Sequence, residues 1–358
     1  MNEKEQKQAE TVPSVGADIG TCNICIARRQ SDNSFLVRHH RNMLFEVEDS
    51  DETRSMLDSS GFLYVKTAGK CYVVGEDALR LANMIGKGEI MRPMQNGLLN
   101  PDLSDSKRLL FCILKAVVGE PLVKGETLRF SVPANPIDRP EIVNNAFHQS
   151  VLQQFFDSLG YSSKPINEAL ASLYNEAPSM DVEGEGTIPL CGMAISFGGG
   201  MLNLCLALRG YSVCEFSLTK AGDHIDRQVA AVTNEPIGRV IRIKEKSLDL
   251  SLKEQPTETT QALSIYYDEF LNRVFSMASK EIVKRKIRVD GPLTITMCGG
   301  TSMVPGFEDK VKTVLQRQEL PFVIGGVKMS SNPFYSVVQG CCMSAAADSN
   351  RQAKNGQK

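Results

Sequence analysis

The chain has 358 residues, 42% hydrophobic and 23% charged, with a formal net charge of −2. That is ordinary soluble composition with enough length for two cores, and the near-neutral charge gives no reason to expect nucleic acid or acidic lipid as the main partner. The longest apolar runs fall well short of the ~20 residues a membrane span needs.

Residues 1–13 begin "MNEKEQKQAETVP". They offer neither the apolar centre of a secretory leader nor the bulky face of an interfacial helix, so they read as a disordered tail without direct membrane binding. The ten cysteines lie in apolar runs such as "NICIA", "LLFCIL" and "NLCLA". In a reducing cytoplasm they read as buried thiols. "SVGADIGTCNICIARRQ" is strand, tight turn and strand, with Asp18 at the turn. Cys22 and Cys25 have metal-like spacing but no companion pair, which disfavours zinc. The stretch from about 34 to 90 mixes charges with short strand-like pieces and reads as a small insert. His39 and His40 within it read as surface residues.

"SDSKRLLFCILKAVVG" predicts a helix, and "TLRFSVPANP" a strand entering a loop. "RPEIVNNAFHQSVLQQFFDSLGY" predicts another helix, with Pro140 in its first turn and Gly160 as its cap. Val143, Phe147, Val151, Phe155 and Leu159 recur there every four residues. "SSKPINEALASLYNE" is a strand end leading into a helix, and the polar loop "SMDVEGEGTIP" separates the halves. The second half restarts with "GMAISFGGGMLNLC" and continues through helical "DHIDRQVAAV" and "TQALSIYYDEFLNRVFSMASKEIVKRKI". The strand "PLTITMCGG" and the helix "PGFEDKVKTVLQRQ" follow, and residues 349–358 read as a second tail.

Three glycine turns each follow an apolar strand: "DIGT" at 18–21, "FGGG" at 197–200 and "CGGTSMVPG" at 298–306. Glycine permits the backbone angles and close approach by which main-chain N–H groups surround a phosphate. Such turns also close hairpins and cap helices, so taken singly they leave both readings open.

The order of these motifs resembles the actin superfamily of ATP-binding proteins over residues 14–347. "ADIGT" resembles the first phosphate loop, which the resemblance extends over Gly20, Thr21, Cys22 and Asn23. "YVVGEDAL" with "RPMQNGLLN" resembles the end of the small outer subdomain. "INEALASLY" resembles the segment that carries the hydrolytic residue, which places Glu168 there. "AISFGGG" falls at the second phosphate loop, with Gly198, Gly199 and Gly200. "LTKAGDHIDRQV" resembles the adenosine segment with Gly222, Asp223 and Asp226, and "RIKEK" the base-contacting helix with Lys244 and Glu245. "CGGTSMVPGFED" resembles the final adenosine loop through Gly299, Gly300, Thr301 and Ser302, and "NPFYSVVQGCCMSAA" a helix crossing back to the first half. Length and the small insert are similar to the bacterial filament actins MreB and MamK.

The resemblance implies an α/β, duplicated actin-like (ribonuclease H-like) fold with two domains around a nucleotide cleft. Domain I would span 14–176, domain II 177–328 with an outer part at about 229–287, and a returning helix 329–348. It further implies ATP or ADP with Mg²⁺ as ligands and a cytoplasmic filament built from copies of the chain. A cargo or membrane-bound adaptor would be a further partner. A non-polymerising nucleotide sensor or regulator is the alternative, and a small-molecule kinase a more distant one.

Asp18 is expensive to bury in an apolar strand unless paired or near a metal, so it is expected to meet Mg²⁺ through water, ahead of a simple turn-capping role. Glu168 is either a helix N-terminal acid stabilised by the dipole or, as the resemblance implies, the residue that positions or activates water. Gly222, Asp223 and Asp226 fit a turn and helix start, while the resemblance places Asp223 near the ribose. Lys244 and Glu245 read by composition as a solvated helix face, and by resemblance as adenine contacts. The second loop departs from the family pattern, because Ser196 stands where an acid is expected and Met201 and Leu202 where hydroxyl residues are expected; Asn203 keeps an amide. Phosphoryl transfer depends on positioning and electrostatics, so loss of a charged metal anchor can cost several kcal/mol in the transition state. The expectation is retained binding with slow hydrolysis, carried by Asp18 and Glu168.

Overall fold

The computed structural model describes residues 13–355, apart from 31, 68, 86–89, 104, 143 and 144. The chain opens on β1 (Ser14–Ile19), which turns antiparallel into β2 (Asn23–Arg29) and then β3 (Phe35–Arg41). β3 therefore belongs to the main sheet, and the outer insert starts later than residue 34. As an edge strand with one wet face it is rich in charge, which makes it look like insert in the sequence. The outer layer comprises β4 (Leu44–Glu48), α1 (Asp51–Ser59), β5 (Tyr64–Thr67), β6 (Lys70–Val74), α2 (Glu76–Ile85) and β7 (Ile90–Met91). Its four strands pack on a separate small core around Phe45, Leu57, Val73 and Leu81.

A short hairpin, β8 (Met94–Gln95) and β9 (Leu98–Leu99), leads to α3 (Ser106–Val118) and to β10 (Thr127–Val132), parallel to β1. The next helix is shorter than expected: a 3₁₀ turn at Pro140–Ile142 precedes α4 (Asn145–Ser158). Val143 lies outside the described residues. Phe147 is 52% exposed, and the buried stripe is His148, Val151, Leu152, Phe155 and Phe156. A face of that width needs two adjoining rows, which a strict four-residue spacing does not supply. β11 (Ser162–Asn167) joins parallel to β10 and runs into α5 (Glu168–Glu176), with Asn167 capping it by accepting from Leu170 N at 3.0 Å.

The polar link between halves is a hairpin of β12 (Ser179–Val182) and β13 (Gly186–Pro189). The second sheet is built from β14 (Gly192–Phe197), β15 (Leu202–Leu208) and β16 (Tyr211–Leu218). Helices α6 (Gly222–Thr233), α7 (Ile237–Lys246) and α8 (Glu258–Lys284) follow, then β17 (Leu293–Cys298), α9 (Phe307–Leu315) and β18 (Ile324–Met329). The two sheets run β3-β2-β1-β10-β11 and β16-β15-β14-β17-β18. In each, an antiparallel meander adds two parallel strands, so the halves repeat one topology. All six residues of β14 are buried, because α5 covers one face and α6 to α8 the other.

The last helix, α10 (Ser336–Asn355), returns to the first half and lies against β1 and α5. It extends through residues 349–355, which read by composition as tail. Two glycines permit its close approach. A Cβ at Gly340 would lie 1.7 Å from the Ala171 carbonyl oxygen, and one at Gly16 would lie 2.2 Å from that of Val338. Arg129 anchors the helix by donating Nε–H to Asp348 Oδ2 at 2.8 Å.

Candidate functional site

A cleft of about 450 Å³ opens between the halves, where the strand ends of both sheets meet. The first turn is closed by Gly20 N–H donating to the Asn23 carbonyl at 2.9 Å. Opposite it, Gly198–Met201 closes the hairpin between the paired Phe197 and Leu202. The Gly198 carbonyl accepts from Thr301 Oγ1 at 2.9 Å and Gly222 N at 3.2 Å, and the Gly199 carbonyl accepts from Asp223 N at 2.8 Å. In a trans peptide the N–H opposes the C=O, so the N–H groups of Gly199 and Gly200 point away from α6. "FGGG" is thus both a hairpin and a cleft-lining turn with its N–H groups turned away from its supports.

Two carboxylates sit beneath the turns. Asp18, near the end of β1, accepts from Ser131 Oγ at 2.7 Å, and the same hydroxyl accepts from Ile19 N at 3.1 Å. Glu168 opens α5, where one oxygen accepts from Ser196 Oγ at 2.6 Å and the other from Asn203 Nδ2 at 2.8 Å. Asn203 Oδ1 in turn accepts from Ala134 N at 2.9 Å. Burial pushes both carboxyl groups above the ordinary range, and the Asp18 charge pushes Glu168 further; the Ser131 and Ser196 hydroxyls act in the opposite direction. The two residues that depart from or retain the loop pattern, Ser196 and Asn203, are therefore occupied in orienting Glu168.

On the other side of the cleft lie Asp223, Asp226, Lys244, Glu245, Gly299, Gly300 and Thr301. Lys244 Nζ donates to Asp226 Oδ2 at 2.6 Å in a buried pair, so this lysine's charge is already matched. Asp226 Oδ1 is buried without a hydrogen-bond partner among the described residues. Gly222 and Ser302 stand behind the cleft wall. A Cβ at Gly222 would come within 2.3 Å of Thr301 Oγ1, while Ser302 Oγ donates to the Gly299 carbonyl at 2.7 Å.

The other expected residues, Gly20 through Asn23 and Gly198 through Gly200, line the cleft. Sequence reasoning passed over Ser131 and Arg92, and it read Met201 only as a departure from the loop pattern and His39 only as a surface residue, without placing either at the cleft. Ser131 and Arg92 lie within quoted stretches, but only the fold brings them to the strand ends. His39 is exposed on the cleft wall, where its Nε2 is 2.9 Å from Asn23 Oδ1 and its ring meets Phe334 edge-on at 4.9 Å. Among the described residues, no group of three or more His, Cys, Asp or Glu side chains converges to cage a metal.

The family model described as Volactin matches residues 14–346. The chain belongs to the Volactin family. No curated protein compared with this Volactin-family chain matches it in sequence. Among solved structures, the chain is similar to a MamK double helical filament, at 17% identity and TM-score 0.64, covering 93% of this chain and 98% of the other. It is also similar to MreB5 of Spiroplasma citri bound to AMPPNP, at 15% identity and TM-score 0.64, covering 97% and 99%. A third similar structure is the ethanolamine utilization protein EutJ from Carboxydothermus hydrogenoformans, at 12% identity and TM-score 0.54, covering 93% and 90%. The fold is thus actin-like, two repeated α/β halves around a cleft.

Proposed function

We propose that this Volactin-family chain binds ATP with Mg²⁺ in the cleft, assembles into cytoplasmic filaments that scaffold or position other components, and hydrolyses the nucleotide slowly. The observation that carries the reading is the convergence of three glycine turns and two buried carboxylates on one cleft between the repeated halves. Similar folds include one solved with AMPPNP and with ADP and one solved as a filament.

The residues fit Mg²⁺ in its usual form, which keeps several waters and takes one or two carboxylates besides phosphate oxygens. Asp18 supplies such a carboxylate. When bound, Mg²⁺ neutralises charge on the phosphate oxygens. Glu168 is assigned to accept a proton from water. Ser196 and Asn203 each occupy one lone pair of its two oxygens, leaving a second on each for that task. Turnover is slow in this reading because Ser196 adds no charge and because two neighbouring buried carboxylates resist joint ionisation.

Sedimentation and negative-stain microscopy with ATP, ADP and no nucleotide, across salt and Mg²⁺, test the reading. Nucleotide-dependent filaments are expected. Nucleotide binding without any assembly would instead favour the sensor or regulator, and phosphate transfer to a sugar or acid the kinase. No helix of the described residues is long and apolar enough to cross a membrane. Recruitment to a bilayer is assigned to an adaptor, and co-sedimentation of the purified protein with liposomes would overturn that assignment.

A further inference from the structure

The cleft's charges are unevenly committed. Three cations line it: Arg41, Arg92 and Lys244. Arg41 Nε donates to Glu76 at 2.7 Å, and Lys244 Nζ to Asp226 at 2.6 Å. Arg92, between β7 and β8, has a looser pairing, with Nη1 3.8 Å from Asp223 Oδ2. The same nitrogen donates to Cys22 Sγ at 3.6 Å.

Those partners locate the guanidinium. Cys22 belongs to the first glycine turn, Asp223 to the start of α6, and a Cβ at Gly199 would lie 2.9 Å from both Cys22 Sγ and Asp223 Oδ1. Arg92 therefore reaches from the first half to the point where two phosphate-loop turns converge. Five acids, Asp18, Glu168, Asp223, Asp226 and Glu245, also line this cleft. A polyphosphate entering it meets a surplus of negative charge, and a planar guanidinium suits phosphate oxygens better than a lone carboxylate 3.8 Å away.

We propose that Arg92 is a phosphate-binding residue of the cleft, exchanging Asp223 for the terminal phosphates of a nucleoside di- or triphosphate and leaving Asp223 to accept from ribose hydroxyls. This rests on the nucleotide-binding reading above. The exchange joins the first half to the ligand and removes a direct contact between the halves, so it also links phosphate occupancy to their relative position.

The test is calorimetric binding of adenosine, ADP and ATP, each with Mg²⁺, to the full chain and to Arg92→Gln, Arg92→Lys and Asp223→Asn. Arg92→Gln should weaken ADP and ATP by 10-fold or more, roughly one lost charged hydrogen-bonding contact, while changing adenosine less than 2-fold. Arg92→Lys should fall between. Asp223→Asn should weaken adenosine as well. Equal loss for adenosine and ATP in Arg92→Gln, or no loss for either, would overturn the assignment. A wild-type chain that binds none of the three would instead remove the nucleotide reading itself. Should Arg92→Gln fail to fold, as judged by its melting transition, Arg92→Lys alone decides: unchanged ATP affinity there, with its fork geometry gone, counts against a bidentate phosphate contact.

Discussion

At the scale of single residues, the site turns on how Glu168 is held. Its two oxygens take hydrogen bonds from Ser196 and Asn203, both on the second sheet, while Glu168 itself begins α5. A donor to the charged form lowers a carboxyl pKa, so its removal raises it. Ser196→Ala should therefore shift the acid limb of the hydrolysis–pH profile upward, with a several-fold loss at pH 7 that recovers at higher pH; phosphate release followed against pH reads this. Glu168→Gln should reduce hydrolysis by at least about 100-fold, the order of a general-base contribution, while ATP affinity stays within a few-fold. Loss of both together would show that Glu168 supports binding instead.

Among secondary elements, α10 is the tightest joint. Gly340 and Gly16 let it touch α5 and β1 through backbone, and a Cβ at Gly340 would overlap the Ala171 carbonyl. Gly340→Ala should therefore cost several kcal/mol, at the upper end for overpacking, and lower the melting temperature well beyond an exposed control. α4 carries a different vulnerability. His148 is 2% exposed, neither ring nitrogen has a hydrogen-bond partner among the described residues, and burial lowers its pKa to about 4. The unfolded chain takes up the proton near pH 6.5, whereas the native chain resists until about 4. Stability is thus lost as pH falls across that window, by up to about 3 kcal/mol for a full shift. His148→Leu should flatten this part of the stability–pH curve, as urea melts at pH 7, 6, 5 and 4 would show. Asp18 and Glu168 contribute in the opposite sense, since raised carboxyl pKa values favour the fold as pH falls. The comparison with His148→Leu separates the two effects.

At the scale of the whole molecule, the two halves meet through the apolar packing of α5 on the second sheet and through several polar joints. Asp138, which follows β10, accepts from Thr219 N at 3.0 Å and from Arg273 Nη2 at 3.4 Å, so it fastens the first half to α8 and to the strand end before α6. Its side chain is 2% exposed, and removal would strand Arg273, the Thr219 hydroxyl and two backbone donors, Thr219 N and Lys220 N. Asp138→Ala is expected to weaken cooperative unfolding, giving a broader or two-step urea transition. Because ligand would bias the angle between the halves, the same variant should blunt any dependence of assembly on nucleotide, measured by sedimentation.

What could be read in the sequence follows from local physics. Apolar strands ending in glycine turns pointed locally to two similar α/β halves, since strand periodicity and glycine's backbone freedom act over a few residues, and the resemblance of their order to the actin superfamily implied the fold. The helices α3, α5, α6 and α8 were legible for the same reason. The edge strand β3 was not, because one wet face gives it the composition of a loop, nor was the helical end of α10, whose order comes from packing on α5 and β1. At the site, the glycine-turn strands drew attention to Asp18 and Ser196 and the resemblance to Glu168, but their chemistry depends on residues far away in sequence. Whether Ser196 faces a metal or a carboxylate, whether Lys244 is solvated or paired, and whether Arg92 belongs to the cleft at all are decided by distances across the two sheets. Charge interactions act through space, so only the tertiary structure assigns their partners.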